Sequence, residues 1–288
     1  MSYSQNYEKW LNFEQLPDYL RQELLQMDEK TKEDAFYTNL EFGTAGMRGY
    51  IGAGTNRINI YVVRQATEGL AKLIETKGDE AKKRGVAIAY DSRHFSPEFA
   101  FESAQVLAQH GIKSYVFESL RPTPELSFAV RHLGTFAGIM ITASHNPAPF
   151  NGYKVYGEDG GQMPPADADA LTDFIRTIED PFTIALADLE ESKASGLIEV
   201  IGESVDAEYL KEVKDVNINQ DLIDEYGKDM KIVYTPLHGT GEMLARRALA
   251  QAGFDSVQVV EAQAVPDPDF STVKSPNPEN QEAFAVAE

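Results

Sequence analysis

The sequence predicts an α/β fold with a largely parallel, buried sheet, and three observations support this prediction. Short apolar runs of strand length recur along the chain. Helical patterns bounded by capping residues separate these runs, and such alternation is typical of βαβ units. The chain has 288 residues, 42% of them hydrophobic and 25% charged, which is enough for one large or two ordinary domains with a sizeable core.

The elements of the first region follow from these patterns. Residues 4–40 carry apolar side chains at helical spacing among charges, which predicts two short amphipathic helices packed on the domain surface. For the helix that begins at Ser96, we expect serine as the N-cap, proline at the first position and Gly111 as the stop. The predicted strands are 86–90, 114–117 and 137–141; the predicted helices are 59–77, 96–110, 123–134 and 166–179, the last after a hairpin turn at 157–161.

A second region is predicted after a domain boundary near Ser204, which divides the chain into residues 1–204 and 205–288. Its predicted elements are a helix at 207–216, strands at 231–234 and 256–260 with a helix between them, a proline-rich loop at 266–279, and a helix starting at Glu279. Two strands with two or three helices make a poor separate core, so we expect this second domain to be incomplete.

Composition excludes several classes of function. The net charge of −20 argues against nucleic acid or an anionic membrane surface as the main partner. No run approaches the roughly 18 apolar residues of a membrane span, and the N-terminus lacks the features of a signal peptide. Cysteine is absent, which rules out disulfides and thiolate metal sites and favours a cytoplasmic location.

The hexapeptide Thr142–Pro147 is the main candidate for a site. It follows the apolar run 137–141 and precedes a glycine-bearing loop at 151–154, and open α/β sheets place their ligands at such strand ends. We interpret Ser144 as a phosphorylatable nucleophile. A hydrolase is a poor fit, because His145 is adjacent in sequence and no Gly-x-Ser-x-Gly elbow is present. A Ser/Asn-rich turn without chemistry remains an alternative.

A phosphate on Ser144 would carry about −1.5 to −2 charges and would need cations nearby. Four candidates lie in segments expected at the same sheet edge: Arg48, Arg93, His145 and Lys154. His145 or Lys154 could also move protons during phosphate exchange.

Several of the neighbouring motifs also have structural interpretations. The glycines around Arg48 are typical of a turn, and residues 91–94 are typical of an Asx-type turn. His238 fits either a phosphate contact or a turn residue. Asp267 and Asp269 are too few for a magnesium site, which favours a solvated loop.

The hexapeptide, together with Asn151–Lys154, resembles the phosphoserine loop of the α-D-phosphohexomutases. Three further segments match in the same order: residues 42–49, 90–93 and 235–241. Within this family, the chain is more similar to the phosphoglucomutase and phosphopentomutase branch than to the phosphoglucosamine mutases. The similarity lies in the N-terminal arm (residues 4–40), in the sequence of residues 43–49 and in the segment 274–279.

The resemblance implies three-layer α/β/α domains with a mostly parallel mixed sheet, the first domain complete and the second incomplete. Family members have four domains, and their Asp-x-Asp-x-Asp-Arg magnesium loop has no match here. We therefore expect the aspartate ligands to lie beyond this chain, and the remaining C-terminal domains of the same polypeptide to be its partners.

The resemblance also implies an activity: interconversion of hexose 1- and 6-phosphates, glucose above all, through a phosphoserine and a sugar bisphosphate. Glucose 1,6-bisphosphate would be the intermediate and activator, and Mg²⁺ would bind the phosphate on Ser144. The implied roles are nucleophile for Ser144, acid/base or phosphate contact for Lys154, support for His145, and substrate or phosphate binding for Arg48, Arg93, Asn146 and His238. This chain alone is expected to be inactive. A phosphopentomutase, a phosphomannomutase or a non-catalytic binding module of the same fold remain alternatives.

Overall fold

The structure, a computed structural model, describes residues 2–43 and 46–287. Its helices are α1 Tyr3–Leu11, α2 Asp18–Gln26, α3 Glu29–Phe36, α4 Ile60–Thr76, α5 Asp79–Arg84, α6 Ser96–Gln109, α7 Thr123–Leu133, α8 Pro165–Arg176, α9 Leu189–Ala194, α10 Glu203–Asp215, α11 Gln220–Tyr226 and α12 Glu242–Ala252. Its strands are β1 Met47–Tyr50, β2 Val86–Tyr90, β3 Ser114–Phe117, β4 Ala137–Ile141, β5 Phe150–Tyr156, β6 Ile198–Ile201, β7 Ile232–Tyr234 and β8 Val257–Val259.

A six-stranded mixed sheet, in the order β1-β5-β4-β2-β3-β6, organises the first region. Strands β2, β3, β4 and β6 are mutually parallel, and β5 runs antiparallel to both β1 and β4. Val86 and Ile88 point into the apolar cluster shared with α4 and α6, while Ala87 and Ala89 point into the cluster shared with α7. Both faces of the sheet are thus covered by helices, which confirms the predicted mostly parallel, buried sheet of a three-layer domain.

The N-terminal arm contains three helices, so the prediction of two was wrong. The chain becomes extended at Met27, and the Asp28 side chain accepts a hydrogen bond from the backbone N–H of Thr31 at the start of α3. An aspartate N-cap of this kind starts a new helix. Trp10 packs edge-on against Tyr61 of α4 with ring centroids 5.5 Å apart, so the arm packs on the domain as expected.

The start of α6 also differs from prediction. Phe95 is the N-cap, with φ of 63°, and Ser96 is already the first helical residue. The Ser96 hydroxyl donates to Asp91 Oδ1 (2.8 Å) and leaves the helix N-terminus without a side-chain cap. The end of the helix is as predicted, because Gly111 follows it with φ of 67°.

Residues 151–154, predicted as a loop, belong to strand β5. Gly152 allows this, because a Cβ there would lie 2.5 Å from Thr142 O and 2.9 Å from Met47 O. Strand β6 was also not predicted, and its buried residues Ile198 and Ile201 lie only at its two ends. Without an apolar run or strict alternation, such an edge strand gives little sequence signal.

The second region contains the predicted parallel pair, β7 and β8, with α12 between them in sequence. Helix α11 was not predicted, and a 3₁₀ turn at Gln281–Phe284 replaces the helix expected from Glu279. Helix α10 packs against both α7 and α12. The boundary near Ser204 falls within α10 and stays a prediction. No helix in the described residues has the length and apolar character to cross a membrane.

Candidate functional site

Ser144 lies just beyond the carboxyl end of β4, in the loop that leads into β5. Its backbone is in the left-handed region, with φ of 59°, and its N–H donates to Thr142 Oγ1 (2.9 Å). Non-glycine residues adopt this conformation at an energetic cost, so the surrounding contacts must hold it. The side chain is exposed and therefore accessible to a reacting group.

His145 is also exposed, and its Nδ1 lies 3.3 Å from Ser144 Oγ. Within residues 2–43 and 46–287, no carboxylate is hydrogen-bonded to the other ring nitrogen. A hydrolase triad needs that third group to orient the imidazole.

Arg48 lies on β1 and is exposed, and its Nη1 donates to Asn146 Oδ1 (3.0 Å). The pairing of β1 with β5 sets Arg48 opposite Gly152, beside the Ser144 loop. Gly46 permits this approach, because a Cβ there would overlap the Tyr153 carbonyl oxygen. Arg48 and Asn146 thus lie together beside the carboxyl end of β4, where the site was predicted from the sequence.

Lys154 lies on β5 and is half-buried. Burial lowers the pKa of its ammonium, the positive charge of Arg48 lowers it further, and Asp91 opposes both. A lysine with reduced proton affinity can exchange a proton more readily than an exposed one. Its place on a strand also fixes its backbone more firmly than the predicted loop would.

Arg93 has a different environment from the predicted phosphate contact. Its guanidinium is buried beneath the Ser144 loop, with Nη1 and Nη2 donating to backbone carbonyl oxygens of that loop. Asp91 accepts from the Arg93 backbone N–H (3.0 Å), which confirms the Asx-type turn. Burial raises the pKa of Asp91, and the positive charge of Arg93 opposes that shift.

His238 is buried within the second region. Its Nδ1 lies 2.9 Å from Val265 O and its Nε2 lies 2.8 Å from Thr272 Oγ1. Both ring nitrogens thus join the glycine-rich loop to the proline-rich loop, and neither is directed at Ser144. The turn-residue alternative describes its position better than a phosphate contact does.

The proline-rich loop holds no metal cluster. Asp267 accepts from the backbone N–H groups of Asp269 and Ser271, and Asp269 Oδ1 lies 2.7 Å from His94 Nε2. Among the described residues, no group of three or more His, Cys, Asp or Glu side chains could hold a metal ion. Asp267 is thus engaged with the backbone of its own loop, and Asp269 with His94.

A cavity of about 470 Å³ opens over Ser144, and both regions line it. The first region contributes Asp91, Ser92, Thr123, Met140, Thr142, Ser144 and His145; the second contributes Thr235, Pro236, Leu237, Gly239, Thr240, Phe270, Pro276, Pro278 and Phe284. The segment 235–241 was singled out by its glycines. Phe270 carried no sequence signal, because a lone aromatic in a polar loop does not reveal what it packs against.

Comparisons with known proteins agree with this fold. The family described as phosphoglucomutase/phosphomannomutase, alpha/beta/alpha domain I, matches residues 39–181, and domain II of the same family matches residues 207–287. The chain belongs to this family, the α-D-phosphohexomutases.

Curated relatives include two phosphoglucomutases. The protein from Staphylococcus haemolyticus strain JCSC1435 is 41% identical over 256 residues, which is 89% of this chain and 45% of the relative. That from Staphylococcus aureus strain bovine RF122 is 41% identical over 258 residues, with the same coverage of both chains. The chain therefore spans about 45% of the length of these relatives.

Solved structures share the fold at lower identity. A Thermus thermophilus protein assigned as a phosphomannomutase matches with a TM-score of 0.69 at 24% identity, over 87% of this chain and 51% of that one. Parafusin, a phosphoglucomutase of Paramecium in its open form, matches with a TM-score of 0.62 at 18% identity, over 81% of this chain and 45% of that one.

Proposed function

We propose that this chain carries the phosphoserine part of a hexose phosphate mutase that interconverts glucose 1-phosphate and glucose 6-phosphate. The observation that carries the proposal is the exposed Ser144 hydroxyl at the end of β4, with Arg48 on β1 and Lys154 on β5 at the same sheet edge. The phosphoglucomutase names of the relatives that are 41% identical support glucose as the sugar.

The proposed chemistry is phosphoryl transfer from Ser144 to a sugar hydroxyl. The P–Oγ bond of phosphoserine breaks as a new P–O bond to the sugar forms, and the proton of the sugar hydroxyl is lost as Ser144 Oγ gains one. The resulting bisphosphate then returns its other phosphoryl group to Ser144. Positioning and electrostatic stabilisation dominate such transfers, so the positive charges of Arg48 and Lys154 would stabilise charge on the moving group.

Lys154 is the proposed proton carrier, because burial and Arg48 lower the pKa of its ammonium. His145 is proposed to support the hydroxyl, since its Nδ1 lies 3.3 Å from Ser144 Oγ. Asn146 is proposed to hold Arg48 in place toward the substrate through their 3.0 Å hydrogen bond.

Magnesium and glucose 1,6-bisphosphate belong to the proposal as cofactor and phosphate source. The described residues do not fit a complete magnesium site, because no carboxylate cluster accompanies Ser144. The phosphate on Ser144 would supply one ligand oxygen, and further carboxylates would have to come from the proposed remaining domains of the polypeptide. A cytoplasmic location is proposed from the absence of cysteine.

The test is the intact mass of the chain after incubation with glucose 1,6-bisphosphate and Mg²⁺. We expect the mass to rise by one phosphoryl group, and we expect Ser144→Ala to abolish that gain. The matched control is Ser92→Ala, which removes another hydroxyl that lines the same cavity and should keep the gain. A serine that stays unmodified with the bisphosphate present would favour the non-catalytic binding module instead.

Sugar choice needs a second measurement. We expect no mutase turnover from this chain alone in a coupled glucose 1-phosphate assay. Phosphate taken up equally well from ribose or mannose bisphosphates would favour the phosphopentomutase or phosphomannomutase alternative.

A further inference from the structure

Arg93 lies beneath the loop that presents Ser144, and its guanidinium has four backbone acceptors there. Nη2 donates to Ser144 O (2.9 Å) and Asn146 O (2.6 Å). Nη1 donates to Pro147 O (2.9 Å) and Phe150 O (3.0 Å). The side chain is completely shielded from solvent, so these bonds do not compete with water.

The position of Arg93 is itself fixed from two sides. Asp91 Oδ2 lies 3.3 Å from Nε, and Asp91 Oδ1 accepts from the Arg93 backbone N–H. The Phe270 ring, which comes from the second region, lies over the guanidinium with 5.0 Å between its centroid and Cζ. The guanidinium is therefore packed between an ion-pair partner and an aromatic face.

The carbonyl held by Nη2 belongs to Ser144, the residue whose backbone is in the left-handed region. A strained conformation persists only where its surroundings over-determine it. The hydrogen bonds from Arg93 fix the peptide planes that follow Ser144, and the bond from the Ser144 N–H to Thr142 Oγ1 fixes the plane that precedes it. Together these peptide planes set the direction of the Ser144 side chain.

We propose that Arg93 is a positioning residue for the Ser144 nucleophile, acting through the carbonyl oxygens of residues 144, 146, 147 and 150 rather than through a phosphate. The inference rests on the proposed function, because it assigns Ser144 the role of nucleophile. It separates two kinds of arginine at the site. Arg48 is exposed and available to a ligand, whereas Arg93 shapes the loop from below.

Substitution by lysine distinguishes these roles. Lysine keeps the positive charge but is a point donor, and it cannot reproduce a planar fork that serves four acceptors. If Arg93 positions the loop, Arg93→Lys and Arg93→Gln should be equally impaired. If Arg93 acts by its charge on the phosphate, Arg93→Lys should retain most of the function and Arg93→Gln should not.

The first measurement is hydrogen exchange on the 288-residue chain without any ligand. We expect peptides covering residues 142–152 to exchange about tenfold faster or more in both variants, because several hydrogen bonds are lost, while α4 stays protected. The matched control is Arg21→Lys, since Arg21 also donates to several backbone carbonyls in the N-terminal arm: Leu11 O and Phe13 O (2.7 Å each) and Glu14 O (3.4 Å). This control should leave residues 142–152 unchanged.

The second measurement is the rate at which Ser144 takes up phosphate from glucose 1,6-bisphosphate, followed by intact mass. We expect a reduction of about a hundredfold in both Arg93 variants, in line with the effect of a misplaced nucleophile. Arg48→Lys should lose less than Arg48→Gln. If the unsubstituted chain takes up no phosphate, the proposed function fails, and the exchange measurement still decides the positioning role.

Two outcomes would overturn the inference. One is an Arg93→Lys chain with native protection of residues 142–152 and native phosphate uptake. The other is faster exchange spread evenly over the first region, which would indicate general destabilisation. If Arg93→Lys does not unfold cooperatively, Asp91→Asn takes its place, because it removes the charge that faces Nε while keeping the shape of the side chain.

Discussion

Strands β2 and β4 of the first region are buried at every residue, whereas β7 and β8 of the second region are only half-buried or exposed at each of theirs. Exposed large apolar side chains occur in both regions but are concentrated in the second, which holds eight of the thirteen among the described residues, including Ile218 at 93% exposure and Val233 at 56%. The first region thus has a closed core, and the second presents apolar surface to solvent.

An apolar groove of about 740 Å³ makes the contrast concrete. It is lined by Val216, Asn217, Ile218, Asn219, Leu222, Ile223, Tyr226, Gly227, Met230 and Phe254, all from the second region. The groove is larger than the cavity over Ser144, yet it contains none of the candidate site residues. The larger and more apolar of the two cavities is thus an uncovered surface of the second region, and the candidate site lies where the two regions meet.

The largest expected effect tests this difference in burial. Ile88→Ala in β2 removes a fully buried side chain from a closed core, and we expect it to lower the free energy of unfolding by about 2–5 kcal/mol. Val233→Ala in β7, as the matched change, should alter it by about 0.5 kcal/mol or less. Urea unfolding followed by circular dichroism measures both. Equal losses would mean that the second region has a core as closed as the first.

The next prediction concerns Glu125, at the junction where α7 meets α10. It is fully buried, and Asp206 of α10 accepts two hydrogen bonds from Arg121 beside it (2.8 Å each). Burial and the negative charge of Asp206 raise the pKa of Glu125 to about 9, against the opposing charges of Arg121 and Arg247. The shift favours the protonated form of Glu125 in the folded chain at neutral pH.

This shift makes stability depend on pH. Between the ordinary pKa of 4.5 and about 9, the folded chain holds a proton that the unfolded chain has lost, so stability falls as pH rises through that window. Glu125→Gln removes the titration. We expect its free energy of unfolding, relative to the unsubstituted chain, to increase from pH 6 to pH 8 by up to about 1.4 kcal/mol per pH unit.

The matched control for this pH dependence of stability is Glu118→Gln. It removes an exposed carboxylate whose Oε1 lies 3.6 Å from Nη2 of Arg121. We expect it to leave the pH dependence in this window unchanged. Parallel stability curves for Glu125→Gln and the unsubstituted chain would show that Glu125 is ionised at the junction.

Much of the first region could be predicted from the sequence, because β2 and β4 are apolar at nearly every residue and their buried faces leave a direct signal. The Ser144 loop could be predicted for the same reason, since it follows β4. Strand β5 could not, because Asn151 and Gly152 fit a strand only through tertiary contacts: Asn151 donates to Ser96 of α6, and Gly152 lies close to the backbone of residues 47 and 142. The sequence also identifies Arg93 as a cation, but it does not reveal that the guanidinium is buried beneath the Ser144 loop.

The smallest expected effect asks what joins the two regions. His94 and Asp269 form an exposed pair across them, with side chains 46% and 69% exposed, whereas Phe270 packs on Arg93 out of solvent. Exposed ion pairs contribute little because solvent screens them and their side chains lose entropy. We expect Asp269→Asn to change the free energy of unfolding by about 0.5 kcal/mol or less. The matched change Phe270→Leu should cost more and should loosen the Ser144 loop in hydrogen exchange. If Asp269→Asn lowers the free energy of unfolding by more than this, and the loss shrinks as salt is added, then the exposed charges stabilise the contact between the two regions more than the packing of Phe270 on Arg93 does.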